Sequence, residues 1–226
     1  MEQRVTIEER LQTRATILNN VEYRLANSES KTTRKLIAEG AVYRKFLDLT
    51  VFYEIPIKEC VRKIGSYAVM NKMLITADIT QEEVEKSARE NTVKNNHFIK
   101  LSLIQEYNRI MKDAGAEDFE LTKINKSNSK AYVLTNERKR DGANILLYKE
   151  EIARMANELK ADLYLLPANT DEIIAVPTIG YGTVEELTAL LQVWHESEYI
   201  GDVLGKSVYK YSRAKNEINI VKESRQ

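Results

Sequence analysis

Few residues in this chain are equipped for chemistry, and their spacing limits what they could do. There are two histidines, His97 and His195, and one cysteine, Cys60. A structural zinc site takes four nitrogen or sulfur ligands, so one thiolate and two widely separated imidazoles make a poor set. His195 follows Trp194 and precedes Glu196 and Glu198. That order would suit a general base oriented by a carboxylate, but it equally describes a half-exposed histidine on a helix whose tryptophan packs inward, and the second reading is the simpler. Lys58, Arg62 and Lys63 flank Cys60 and would favour its thiolate. A lone cysteine is more often a small apolar core residue.

The remaining candidates are charged groups. Asp48 interrupts the apolar run Phe46–Ile55, where a buried carboxylate would need a partner. If Leu47, Leu49, Val51 and Tyr53 face the core of a strand, Asp48 faces the other side, within reach of Arg44 or Lys45. Asp171 and Glu172 close a turn that begins at Pro167, and with Asp48 they form the candidate polar site. Arg138, Lys139 and Arg140 are the densest short cationic group and the candidate interaction site. The Gly180-Tyr181-Gly182 loop before a helix start could hold a small anion. None of these makes a catalytic constellation, and neither a metal nor a cofactor is expected. Two classes of function stay open: a non-enzymatic module that binds another protein, and a hydrolase or nuclease using scattered carboxylates.

Charge bears on the partner. The formal net charge is +0, whereas nucleic-acid binders usually carry a basic surplus that neutralises phosphates. A protein partner is therefore favoured over nucleic acid. One cysteine precludes an intrachain disulfide, which fits a reducing compartment. The polar start of the chain lacks the apolar stretch of a signal peptide, and no apolar run approaches the ~20 residues of a membrane span. A cytoplasmic location away from membranes is expected.

The elements that must position these groups follow from periodicity. Ile7, Leu11, Ala15, Leu18, Val21 and Leu25 recur at three- and four-residue steps, predicting a helix over residues 7–25. Residues 32–39 read as a short helix ended by Gly40. The run 46–55 reads as a strand, with a weaker one over 66–71. Thr80 and Glu83 form a capping box that opens a helix to about Asn91, and a further helix is expected over 97–111. Strands over 131–135 and 143–148 would flank the 136–142 tip, where Asp141-Gly142 suits a positive φ. A helix over 150–159, strands over 162–166 and 172–176, and a helix capped by Thr183 and Glu186 complete the pattern, with Tyr209 and Tyr211 in a last strand. Strand–strand–helix thus recurs three times. Short connections imply antiparallel pairing, giving an α+β fold with a mainly antiparallel sheet covered by helices on one face. Residues 1–40 form an N-terminal helical segment and residues 41–226 the α+β core.

Several segments, in order, resemble one family. Tyr23-Arg-Leu-Ala-Asn27, Phe46-Leu-Asp-Leu49 and Ile79-Thr-Gln-Glu-Glu83 are similar to its first half. Tyr132-Val-Leu-Thr-Asn136, Asn144-Ile-Leu-Leu-Tyr148, Asp162-Leu-Tyr-Leu-Leu-Pro167 and Val208-Tyr-Lys-Tyr211 are similar to its second. It is a bacterial family of unknown function, often met beside plasmid, phage and integrated-element genes, and this chain resembles a version with a short N-terminus. The resemblance implies one α+β domain and brings no activity. Where the family tends to have Leu-Pro-Ser-Ser-x-His-Glu, this chain has Leu166-Pro-Ala-Asn-Thr-Asp-Glu172. Aspartate cannot copy a histidine near neutral pH without a raised pKa, which implies a turn role for Asp171.

Overall fold

The computed structural model describes residues 13–60, 63–103, 105, 131–180, 183–195 and 202–221. The chain separates into two compact units, residues 1–97 and 98–226.

The first unit contains α1 (Arg14–Asn20), β1 (Glu22–Asn27), α2 (Lys31–Ala38), β2 (Tyr43–Phe46), β3 (Leu49–Cys60), β4 (Lys63–Ala68), α3 (Asn71–Ala77) and α4 (Gln81–Asn95). Residues 14–40 therefore belong to the same unit as the long strand β3. All pairings are antiparallel: β1 and β2 flank the first half of β3, and β4 pairs with its second half. Of the helix expected over 7–25, residues 7–12 lie outside the described residues and α1 ends at Asn20. Residues 22–27 are a strand instead, because Val21, Tyr23 and Leu25 fit a period of two as well as a helical step, and pairing with β3 (Tyr23 opposite Tyr53, Leu25 opposite Val51) selects the extended form. The Asn91 side chain then donates to the Leu18 and Val21 carbonyls at 2.9 and 3.0 Å, and Thr92 Oγ1 accepts the Tyr23 amide at 2.9 Å, so α4 fastens this junction.

The expected strand over 46–55 is really a hairpin. Phe46 pairs with Leu49, leaving Leu47 and Asp48 as a two-residue turn with Leu47 at φ 55. Turns of this length require such angles, normally supplied by glycine or asparagine. With leucine in that position, the local signal was absent. Leu47 is thus neither in a strand nor fully buried. The capping box at Thr80 is present as expected, with Thr80 Oγ1 accepting the Glu83 amide and Glu83 accepting the Thr80 amide, at 3.2 and 3.0 Å. The short helix over 32–39 is also present as α2, ended by Gly40 at φ 89.

The second unit is a six-stranded antiparallel sheet, built from β5 (Phe98–Ser102), β6 (Tyr132–Asn136), β7 (Leu163–Leu166), β8 (Ile173–Pro177), β9 (Tyr209–Ser212) and β10 (Glu217–Ile220) in the order β10-β9-β7-β8-β6-β5. Every residue of β8 is buried, so both faces need cover. Leu187 and Leu191 of α6 (Val184–His195) pack with Leu166, Ile174 and Val176 on one face. Met155 of α5 (Lys149–Leu159) lies by Leu134, which pairs with Ile173 on the opposite face. The helical layer expected on one face is doubled here.

Two local expectations change in this unit. Residues 98–102 are strand β5 rather than the start of a helix, since Ile99 and Leu101 find partners in Thr135 and Val133 of β6; Tyr107 and Ile110 lie outside the described residues. The segment 143–148 is not a strand. Gly142–Leu147 is a 3-10 helix, all six residues buried, with the Asn144 amide bonding Asp141 and the Tyr148 amide bonding Ile145. A short run buried on every side, Asn144 included, shows no periodicity from which helix and strand could be told apart. The second strand–strand–helix repeat is therefore strand, 3-10 helix, α-helix.

Candidate functional site

In the first unit, pairing and helix packing assemble a polar cluster that periodicity did not reveal. Tyr23 (β1), Arg44 (β2) and Tyr53 (β3) lie on the sheet face that α4 covers, and Glu85 of α4 points among them. The Tyr23 hydroxyl donates to Glu85 Oε1 at 2.8 Å, and the Tyr53 hydroxyl donates to Oε2. Arg44 Nε donates to both oxygens, at 3.2 and 3.0 Å, and its guanidinium lies 5.7 Å from the Tyr23 ring centre. Burial raises the Glu85 pKa, but the two hydroxyls and Arg44 outweigh it, and the carboxyl stays below its ordinary range. Burial and the adjacent Glu85 carboxylate together push the Tyr53 phenol well up. Arg44, half-buried, gains more from Glu85 than desolvation takes away, so its pKa rises. Glu85 is thus held as the carboxylate, Tyr53 as the neutral phenol and Arg44 as the guanidinium. The cluster acts as a clamp that ties α4 to the sheet.

In the second unit, two of the segments singled out from sequence come together. The Asp141 amide donates to Asp171 Oδ1 at 2.8 Å, the Ala143 amide to the Thr170 carbonyl at 3.2 Å, and the Thr135 hydroxyl to the Asp171 carbonyl at 2.7 Å. The buried Asn136 spans the tip: its Nδ2 donates to the Arg140 carbonyl at 2.6 Å and its Oδ1 accepts the Arg140 amide at 3.3 Å. A further bond from the Lys139 amide to the Asn136 carbonyl at 2.9 Å folds residues 136–139 into a turn, with Lys139 at φ 49 and Asp141 at φ 52. The positive φ thus falls on Asp141, while Gly142 is needed for space. Asn169 Oδ1 accepts the amides of Asp171 and Glu172 at 2.7 and 3.0 Å, which is the turn role expected for Asp171.

Glu137, Arg138 and Lys139 are exposed, and Arg140 Nε lies 3.4 Å from Asp141. Across residues 137–141 and 171–172 there are three cations and four carboxylates. The surface is one of mixed charge and not a phosphate track, which needs a basic surplus. Asp48 sits in the β2–β3 turn of the first unit, half-exposed. Arg44, expected beside it, reaches Glu85; Lys45 bonds Ser28 and Thr50 at 3.3 and 3.2 Å.

His195 is part-buried, with Nε2 3.0 Å from the Ala168 carbonyl; the side chain of Trp194 and residues 196–201 lie outside the described residues. The side chain of Cys60 and residues 181–182 of the glycine loop lie outside the described residues. Among the described residues, no three His, Cys, Asp or Glu side chains converge to hold a metal ion, and no helix is long and apolar enough to cross a membrane. A cleft of about 70 Å³ beside β5 has Phe98, Leu134 and Met155 in its wall, with Lys100 and Glu158 paired at 2.5 Å on its rim.

Fold and site define an α+β protein of two antiparallel sheets, each carrying a polar cluster held together by its own hydrogen bonds. The chain belongs to a family of unknown function, DUF5688, which it matches over residues 2–213. No curated protein and no solved structure matches it.

Proposed function

We propose that the protein is a non-enzymatic protein-interaction module of a bacterial or mobile-element system, acting in the cytoplasm and docking its partner through Arg138, Lys139 and Arg140. One observation carries the reading: the loop bearing these cations is held at its base by Asn136 and Asp171, so little loop entropy is lost when it binds. Its mixed-charge surroundings suit a folded acidic protein surface better than a polyanion. Of the carboxylates that a hydrolase or nuclease would use, Asp171 and Glu172 bond within their own turn and its neighbour, and Asp48 belongs to the other unit. The test is quantitative affinity capture from host lysate with the wild-type chain and the R138E/R140E double variant, both checked for unchanged melting. A protein enriched by the wild type and lost with charge reversal is expected. Equal recovery by both proteins would refute the role of the loop, and turnover of a small molecule by the purified chain would refute the non-enzymatic reading.

A further inference from the structure

Strand β5 ends the six-stranded sheet of the second unit, and hydrogen bonding fixes which of its groups face outward. The register with β6 sets Ser102 opposite Tyr132. The next pair in that register, Leu103 and Ala131, is joined by a bond from the Leu103 amide to the Ala131 carbonyl at 3.1 Å. Hydrogen-bonded and non-bonded pairs alternate along an antiparallel ladder. Ile99 and Leu101 therefore turn their N–H and C=O groups toward β6, while Phe98, Lys100 and Ser102 turn theirs to the outer edge. Among the described residues, no strand pairs with that edge.

The cleft lies against the same row. Phe98, Lys100 and Leu134 line it from the sheet, and Met155 and Glu158 from α5. Ile99 lines it too, although alternation turns its side chain to the other face, so the cleft reaches the β5 backbone. A lysine on an edge strand normally keeps other strands away, because pairing would bury its charge. The Lys100 ammonium is already matched by Glu158 at 2.5 Å and lies 5.2 Å from the ring centre of Tyr132 on β6. Little of that deterrent remains. Arg154 is likewise paired with Glu151 on the rim. A charged newcomer would find no unmatched counter-charge there and would lose its hydration. About 70 Å³ above Phe98, Leu134 and Met155 takes one short aliphatic side chain.

We propose that the outer edge of β5 accepts an extended segment of a partner polypeptide as an added antiparallel strand, whose neutral aliphatic residue opposite Lys100 enters the cleft. Main-chain bonds to Phe98, Lys100 and Ser102 supply affinity and the cleft supplies selectivity, the usual division of labour in strand addition. A second copy of this chain fits less well. Pairing two β5 strands about Lys100 would set lysine against lysine. Five residues also span only about 17 Å, too little for the roughly 800 Å² per partner of a stable complex. The site shares with the reading above only the premise that the partner is a protein, and it does not involve the 138–140 loop.

The probe is a capped nonapeptide of alternating threonine and valine with a lysine at each end, titrated into ¹⁵N-labelled full-length protein. The amides of Phe98, Lys100 and Ser102 should shift saturably, with half-saturation at roughly 0.1–1 mM, and gain protection from hydrogen exchange. Those of Ile99 and Leu101 are already bonded to β6 and should gain little. Aspartate in place of the central valine should weaken binding by about tenfold or more. Methylating the valine amide nitrogens should abolish the response, because those amides lie on the edge that seats valine in the cleft. The K100P variant leaves the β6 ladder intact, since the Lys100 N–H points outward, and should lose the response. K100T keeps that N–H and should keep the response. R138E/R140E should also keep it, so failure of the loop reading would leave this one standing. Protection spread evenly over residues 98–102, equal binding of the methylated peptide, or a K100P response equal to wild type would each overturn the proposal. So would the lack of a saturable shift up to about 10 mM peptide, or a concentration-dependent dimer of the free chain that shields the same amides. If K100P fails to fold, the methylated peptide still decides.

Discussion

Replacing Gly142 by alanine tests the junction that brings the 138–140 loop to the 167–172 turn. A Cβ built on Gly142 would lie 2.4 Å from the Asp171 carbonyl oxygen, 2.4 Å from Thr135 Oγ1 and 2.7 Å from Thr135 Cα. Two of these neighbours are backbone, so no side-chain rotation relieves the clash. The two segments must separate by about 1 Å to restore ordinary contact distances. Overpacking of this kind costs about 1–3 kcal/mol. Opening the gap also weakens the Thr135–Asp171 hydrogen bond, which contributes about 1 kcal/mol. Against this, alanine lowers the entropy of the unfolded chain, a gain of about 0.4–1 kcal/mol. The clash wins, and the net loss is roughly 2–3 kcal/mol. For a chain of this length that lowers Tm by roughly 4–12 °C. Trp194 is the only tryptophan and belongs to the second unit, so its fluorescence reports melting there. Gly40→Ala is the contrasting control: its nearest neighbour is 4.0 Å away, but its φ of +89 penalises any side chain, and its effect belongs to the first unit. A Tm for G142A within about 1 °C of wild type, or above it, would refute the packing described here.

The clamp makes a pH-dependent prediction. The folded pKa of Glu85 lies below its ordinary value of 4.5. Its contribution to stability is complete above that value and is lost as pH falls through the folded pKa. E85Q should therefore lower Tm most at neutral pH and converge on wild type in acid, measured by melts from pH 7 to pH 3; a constant difference at every pH would count against the ion pair. Thr80→Ala removes a helix cap and should destabilise by about 1 kcal/mol in urea titrations. An unchanged midpoint would mean that Glu83, held also by Arg14, suffices to anchor the start of α4. Charge reversal at 138 and 140 completes the set.

Short-range signals were read correctly where both partners lie within one turn of chain. Thr80 with Glu83 and Thr183 with Glu186 are three residues apart and cap α4 and α6 as their spacing implies. The inner face of α5, with Ile152, Met155 and Ala156 buried, follows from helical spacing, and β7 and β8 from short apolar runs bounded by turn residues. The misreadings share a cause. The stretch 22–25 satisfies two periods, Leu47 is an atypical turn residue, and the 143–148 run is apolar apart from Asn144, so local pattern could not choose.

The candidate sites divide in the same way. The turn role of Asp171 follows from the resemblance, since aspartate stands where the family tends to have histidine and cannot copy its chemistry near neutral pH. That Asp171 also holds the base of the 138–140 loop depends on an amide thirty residues earlier. The clamp is farther from local reach still, since Tyr23 and Glu85 are 62 residues apart and Arg44 and Glu85 are 41 apart. Local propensity sets caps, helix faces and turn chemistry, which need only a few neighbouring residues. Strand register and the seating of α4 bring distant side chains into hydrogen-bond contact, and those contacts give Glu85 its charge, Tyr53 its proton and Arg44 its fixed place.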